Sequence, residues 1–175
     1  MRYIALLRGI NVTGNNMIKM TELKAVFEKC GFENVVTYIN SGNLAFDVRT
    51  TTEPKLIAKI EKRIAEAFEL TVSVMIREQR EIDAVLANNP FNGKYESHKQ
   101  MHVLFLREEI PDDKLAEALS FQTDREKIVV RGREIYALLL DGVAESQIGR
   151  GLIERRLKIP ITARNWRTVE KLAEI

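Results

Sequence analysis

The sequence predicts an α+β fold of two tandem ferredoxin-like units, each a split βαββαβ arrangement with an antiparallel sheet and each followed by a short helix. Three observations predict it. Strand-like apolar runs and stretches with helical spacing follow one another in the order strand–helix–hairpin–helix–strand. That order occurs twice within 175 residues, with little residue identity between the halves, and reads as an internal duplication. The first strand of each half also ends in an arginine, Arg8 and Arg107.

In the first half, Arg2–Leu7 reads as a buried strand. Leu23, Val26, Phe27 and Cys30 fall on one face of a helix ended by Gly31. Val35–Tyr38 and Leu44–Asp47 flank a Ser41-Gly42 turn as a hairpin. Thr52 and Pro54 open a helix with Leu56, Ile57, Ile60, Ile64 and Phe68 inward. A strand over 71–76 follows, and Ile82, Val85 and Leu86 mark a further short helix, stopped by Asn89-Pro90-Phe91-Asn92-Gly93.

The second half repeats the order. Met101–Leu106 is a strand, and Pro111-Asp112-Asp113 starts a helix with Leu115 and Leu119 inward. Lys127–Val130 and Glu134–Leu138 form a second hairpin around Arg131-Gly132-Arg133. A helix through Ile148, Leu152 and Leu157 stops before Pro160; a short strand, Ile161–Ala163, and a closing helix with Val169 and Leu172 complete the half. The expected division is a first unit over residues 1–88, a linker over 89–100 and a second unit over 101–175.

The topology has a consequence for function. Right-handed crossovers keep the first and second strands of a unit parallel, so the loop after strand one and the hairpin tip lie on the same edge of the sheet. Residues 8–16 and 38–43 should therefore converge.

Composition bounds the rest. A hydrophobic fraction of 45% is that of a globular chain, and a net charge of +2 excludes a strongly basic nucleic-acid coat or an acidic tail. One cysteine, Cys30, excludes an internal disulfide, and no run has the length of a signal-peptide core or a membrane span. The expectation is a cytoplasmic protein that makes no membrane contact.

The same residues carry a resemblance. The chain is similar to members of the bacterial domain of unknown function family 1697 at Leu6-Leu7-Arg8-Gly9-Ile10-Asn11-Val12 and at Thr37-Tyr38-Ile39 with Ser41-Gly42-Asn43. It is also similar at Asn89-Pro90, at His102-Val103 with Phe105-Leu106, and at Thr162 with Arg164-Asn165-Trp166 and Thr168. The resemblance runs nearly end to end. It implies two α+β halves related to the ferredoxin-like plan and an uncharacterised molecular function, with Thr13 standing where many members carry Gly.

The first candidate site is the pair of converging loops. Arg8 and backbone N–H groups before the helix near Met20 have the chemistry to hold a phosphate or carboxylate, with Asn11, Asn15, Tyr38, Ser41 and Asn43 lining the pocket. The structural reading of the same loop is that Gly9 and Gly14 supply positive φ while the Asn side chains cap turns. The match to a true P-loop is poor because the Gly-Lys-Ser/Thr ending is missing. The binding reading makes the protein a module for a phosphate-bearing ligand, a nucleotide or nucleic acid. An alternative draws on acylphosphatases, which share the fold plan: Arg8 with Asn40 or Asn43 would serve a small-phosphate hydrolase. Leu44–Val48 lacks the alternating aromatics of an RNA-binding sheet.

The second candidate is electrostatic. Between 147 and 167, Arg150, Arg155, Arg156, Lys158, Arg164 and Arg167 face only Glu154, which suits a polyanion or protein partner contacted by Arg155, Arg156, Arg164 and Arg167. The alternative is a solvated helix face with cations at a helix C-terminus. No cofactor motif and no metal site are expected. His98 and His102, four apart on an extended chain, would lie about 13 Å from each other. Cys30 at a helix C-terminus reads as a small core hydrophobe.

Overall fold

The structure, a computed structural model, describes residues 1–49 and 51–175. In the first unit β1 (Arg2–Leu7), α1 (Met20–Lys29), β2 (Glu33–Tyr38), β3 (Asn43–Asp47), α2 (Glu53–Phe68) and β4 (Val74–Glu78) give an antiparallel sheet of order β2-β3-β1-β4. After α3 (Gln79–Ala87) the second unit runs β5 (Met101–Leu106), α4 (Asp112–Ser120), β6 (Glu126–Arg131), β7 (Glu134–Leu139), α5 (Leu152–Leu157) and β8 (Ile161–Asn165), with sheet order β6-β7-β5-β8. α6 (Trp166–Glu174) closes the chain. Both sheets thus have the order that the split plan requires.

The chain divides into Met1–Asp83 with Leu172–Ile175, and Ala84–Lys171. The C-terminal residues join the first unit through Arg2 Nε, which donates to Ile175 O, and Gln79 Nε2, which donates to Ala173 O. Residues 89–100 fall in the second unit and form turns: Phe91 N donates to Asn89 Oδ1 at 2.9 Å and Gln100 N to Ser97 O at 2.9 Å.

In the first unit, alternation along the strands puts Tyr3, Ala5, Leu7, Leu44, Phe46, Val74 and Ile76 on the face toward the helices. Leu23 and Phe27 of α1 and Leu56, Ile57, Ile60 and Ile64 of α2 meet them. Phe46 is the centre of this core, stacked on Phe32 at 4.5 Å and edge-on to Phe27 at 5.4 Å. α1 ends where Gly31 turns to φ +79, so that Gly31 N bonds Glu28 O and Phe32 folds back onto Phe27.

Two elements depart from expectation. β4 begins at Val74 rather than residue 71, and the Val74 N–H donates to Glu61 Oε1 of α2 at 2.9 Å. The helix expected through Ile148 is confined to the six residues of α5. Gly151 stands at φ +87 before it, and a Cβ on Gly149 would lie 2.6 Å from Val143, so 146–151 is a run of turns capped by Ser146 Oγ on Gly149 N.

Candidate functional site

The two loops of the first unit meet through backbone and side chain. Leu7 N donates to Gly42 O at 2.8 Å, and Arg8 N donates to Ser73 O at 2.9 Å. Gly42 sits at φ +79, and a Cβ there would be 2.7 Å from Leu7 Cβ and 2.9 Å from Ile10 Cδ1. The hairpin tip and the loop after β1 can therefore close on each other only with glycine at this position.

Asn11 is the clamp. Its Nδ2 donates to Ile18 O at 2.9 Å and to Asn40 O at 2.8 Å, while its Oδ1 accepts from Ile18 N at 2.7 Å. One side chain thereby ties the loop after β1 to the start of α1 and to the hairpin. Asn11 itself is at φ +54, followed by Thr13 at +46, Gly14 at +79 and Asn16 at +48. A bridge between Val12 and Asn15 and the bond from Asn16 Nδ2 to Gly9 O fold this stretch into a small lobe. Asn11, Gly14 and Asn16 suit left-handed backbone, whereas the β-branched Thr13 adopts it against its preference.

The predicted site residues separate accordingly. Asn43 is fully buried and donates to Tyr38 O at 3.0 Å and Ser41 Oγ at 2.9 Å, so it holds the hairpin and does not reach solvent to orient a water. Tyr38 and Ser41 are half-buried, whereas Arg8, Asn15 and Asn40 are exposed. Beside the clamp lies an open groove of about 640 Å³, lined by Asn11, Asn40, Met17 and the run from Ile18 to Glu22. Arg8, Tyr38, Ser41 and Asn43 do not line it. Lys19, at the N-cap position of α1, makes no side-chain cap; its carbonyl accepts from Glu22 N and Leu23 N at 3.0 Å each, and Met20 and Thr21, the first two residues of the helix, line the groove. Glu22 lies 3.6 Å from Lys19. Sequence reasoning missed Met17, Lys19, Thr21 and Glu22; the available signal was an apolar Met17 directly after the polar run Thr13-Gly14-Asn15-Asn16.

The family model described as "Protein of unknown function (DUF1697)" matches residues 1–136. The chain belongs to this family. Both loops and the groove lie within the matched residues. A solved relative, the conserved bacterial protein SP0830 from Streptococcus pneumoniae, is 27% identical, with a TM-score of 0.79 over 99% of this chain and 97% of that one. No match was found among curated proteins.

In this DUF1697 member the basic C-terminal segment is less open than its composition suggests. Arg164 is 6% exposed, with Nη1 donating to Thr162 Oγ1 at 2.7 Å and Ala163 O at 2.9 Å; burial lowers its pKa to about 10. It is not a surface contact for a polyanion, because alternation along β8 turns it to a buried face. Arg155 Nη1 is held by Arg150 O, and Arg156 Nε lies 3.3 Å from Glu117 of α4. Arg155, Arg156 and Arg167 are exposed. Trp166 is buried at the start of α6.

The two histidines are not separated as an extended chain would hold them, because Ser97–Gln100 is a turn. His102 is buried with no partner on Nδ1, and burial together with His98 lowers its pKa to about 4. Burial raises the Cys30 thiol, as suits a core position. Among the described residues no group of three His, Cys, Asp or Glu could hold a metal ion, and no helix is long and apolar enough to cross a membrane.

Proposed function

We propose that the protein is a cytoplasmic binding module for a phosphate-bearing ligand, held at the loop edge of the first unit without turnover. The observation that carries this reading is the Asn11 clamp, which organises an open groove at the uncapped start of α1. A rigid frame lowers the entropic cost of binding. Charge leans toward an anion: residues 8–22 contain Arg8 and Lys19 against Glu22 alone, which lies 3.6 Å from Lys19, and residues 37–46 contain no charged residue at all. Lys19 and the first N–H groups of α1 take the phosphate, and Arg8 adds positive potential at the same edge. Asn11 and Asn43 build the frame, while Asn15 and Asn40 remain available to solvent and ligand.

Isothermal titration with pyrophosphate and ribose 5-phosphate tests the reading. Both are expected to bind, more weakly at high salt, and Lys19→Gln is expected to abolish the heat with the fold intact. If neither probe binds the wild-type chain, the reading fails.

A further inference from the structure

We infer that the ligand of this groove is a ribonucleoside phosphate whose base packs on methionine, an inference that rests on the phosphate-binding reading above. The lining is chemically divided. Lys19 supplies one cation, ion-paired with the Glu22 carboxylate at 3.6 Å, Thr21 a hydroxyl, Asn40 an exposed amide, and Met17 and Met20 two thioether side chains. A site for phosphate alone has no use for the apolar part, yet Met17 is 67% exposed, more than any other large hydrophobic side chain on the described surface. Ile39 adds a second exposed apolar side chain on the hairpin tip, next to Asn40.

Flat aromatic ligands suit such a lining. Methionine is unbranched and polarizable, and its sulfur makes favourable contacts with aromatic rings while adapting to their shape. Bare phosphates and aliphatic phosphates offer no such ring. The polar residues match the rest of a nucleotide. Lys19 meets the phosphate, and the Asn40 amide has both a donor and an acceptor to offer a base edge. The Glu22 carboxylate, paired with Lys19 through Oε1 at 3.6 Å, keeps lone pairs that accept hydrogen bonds from vicinal ribose hydroxyls, the role acidic residues take in dinucleotide sites. The groove volume of about 640 Å³ lies within the range of small-molecule and cofactor sites.

The test compares the four nucleoside 5′-monophosphates with ribose 5-phosphate on the full chain. At least one nucleotide is expected to bind about tenfold more tightly than ribose 5-phosphate, the gain expected from one stacked base. Met17→Ser, at a position too exposed to matter for folding, should bring that nucleotide to the level of ribose 5-phosphate and leave ribose 5-phosphate itself unchanged. Nucleotides and ribose 5-phosphate binding equally would overturn the inference and leave the phosphate-binding reading standing. A nucleotide preference untouched by Met17→Ser would overturn the packing on methionine. Failure of every phosphate-bearing probe would remove both.

Discussion

Arg77 and Arg164 hold the same register position in their respective sheets. Arg77 on β4 stands opposite Ile4 of β1, three residues back from the Leu7–Val74 pair; Arg164 on β8 stands opposite Val103 of β5, three back from the Leu106–Ile161 pair. Both are buried, and each turns Nη1 back onto the carbonyl of the preceding residue, at 2.8 Å to Ile76 O and 2.9 Å to Ala163 O. Two strands that share almost no residues thus solve the burial of a guanidinium in one way, with the backbone as acceptor.

If the long stem of Arg164 contributes through packing as well as through its charge, Ala and Met replacements will separate the two. Arg164→Ala removes the stem and its hydrogen bonds to Thr162 Oγ1 and Ala163 O, at an expected cost of about 3 kcal/mol. Arg164→Met keeps most of the volume and should lose less than half as much. Urea denaturation of the two variants checks the ordering, and equal losses would assign the whole effect to the guanidinium.

Gly42 sets a sharper steric limit. Gly42→Ala combines a positive φ with overlap against Leu7 and Ile10, and should cost about 2–4 kcal/mol. Gly14 has the same φ of +79 with open space around it, so Gly14→Ala should cost only about 1 kcal/mol. The difference between the two, read from denaturation midpoints, isolates the packing of hairpin tip on loop from backbone preference.

These positions mark what the sequence discloses and what it does not. Leu23, Phe27 and Gly31 announce a helix and its end because spacing and a left-handed cap are local properties. The convergence of the 8–16 and 38–43 loops was legible because it follows from strand order and handedness. Arg164 and Asn43 were not legible as buried residues: composition gives their polarity, but only the register of β8 and β3 turns them inward. The break before α5 likewise depends on Gly149 packing against Val143, a contact with a residue outside the segment whose periodicity reads as helical.

Acidification should weaken the fold through His102. Its pKa in the folded chain is about 4, below the ordinary 6.5, because the imidazole is buried and His98 lies near it. The unfolded chain therefore binds more protons between those values, so stability falls as pH drops from about 6.5 toward 4 and this contribution levels off below. The full difference corresponds to about 3 kcal/mol. His102→Leu should flatten the stability profile across that window, and an unchanged slope would assign the acid sensitivity to other groups.

Asn11 carries the strongest prediction about the site, because its side chain holds three segments at once. Asn11→Ala leaves Ile18 N, Ile18 O and Asn40 O without their partner and removes a side chain suited to φ +54. The expected loss is about 2–3 kcal/mol, felt first as local opening of the loop rather than as global unfolding. Hydrogen exchange should then accelerate at the Ile18 amide by tenfold or more, while the Leu7 amide, bonded to Gly42 O, keeps its protection. Pyrophosphate affinity should fall with it, since Lys19 and the first turn of α1 lose the tether that places them beside Asn40. Accelerated exchange at Ile18 with unchanged affinity would show that the groove binds without the clamp.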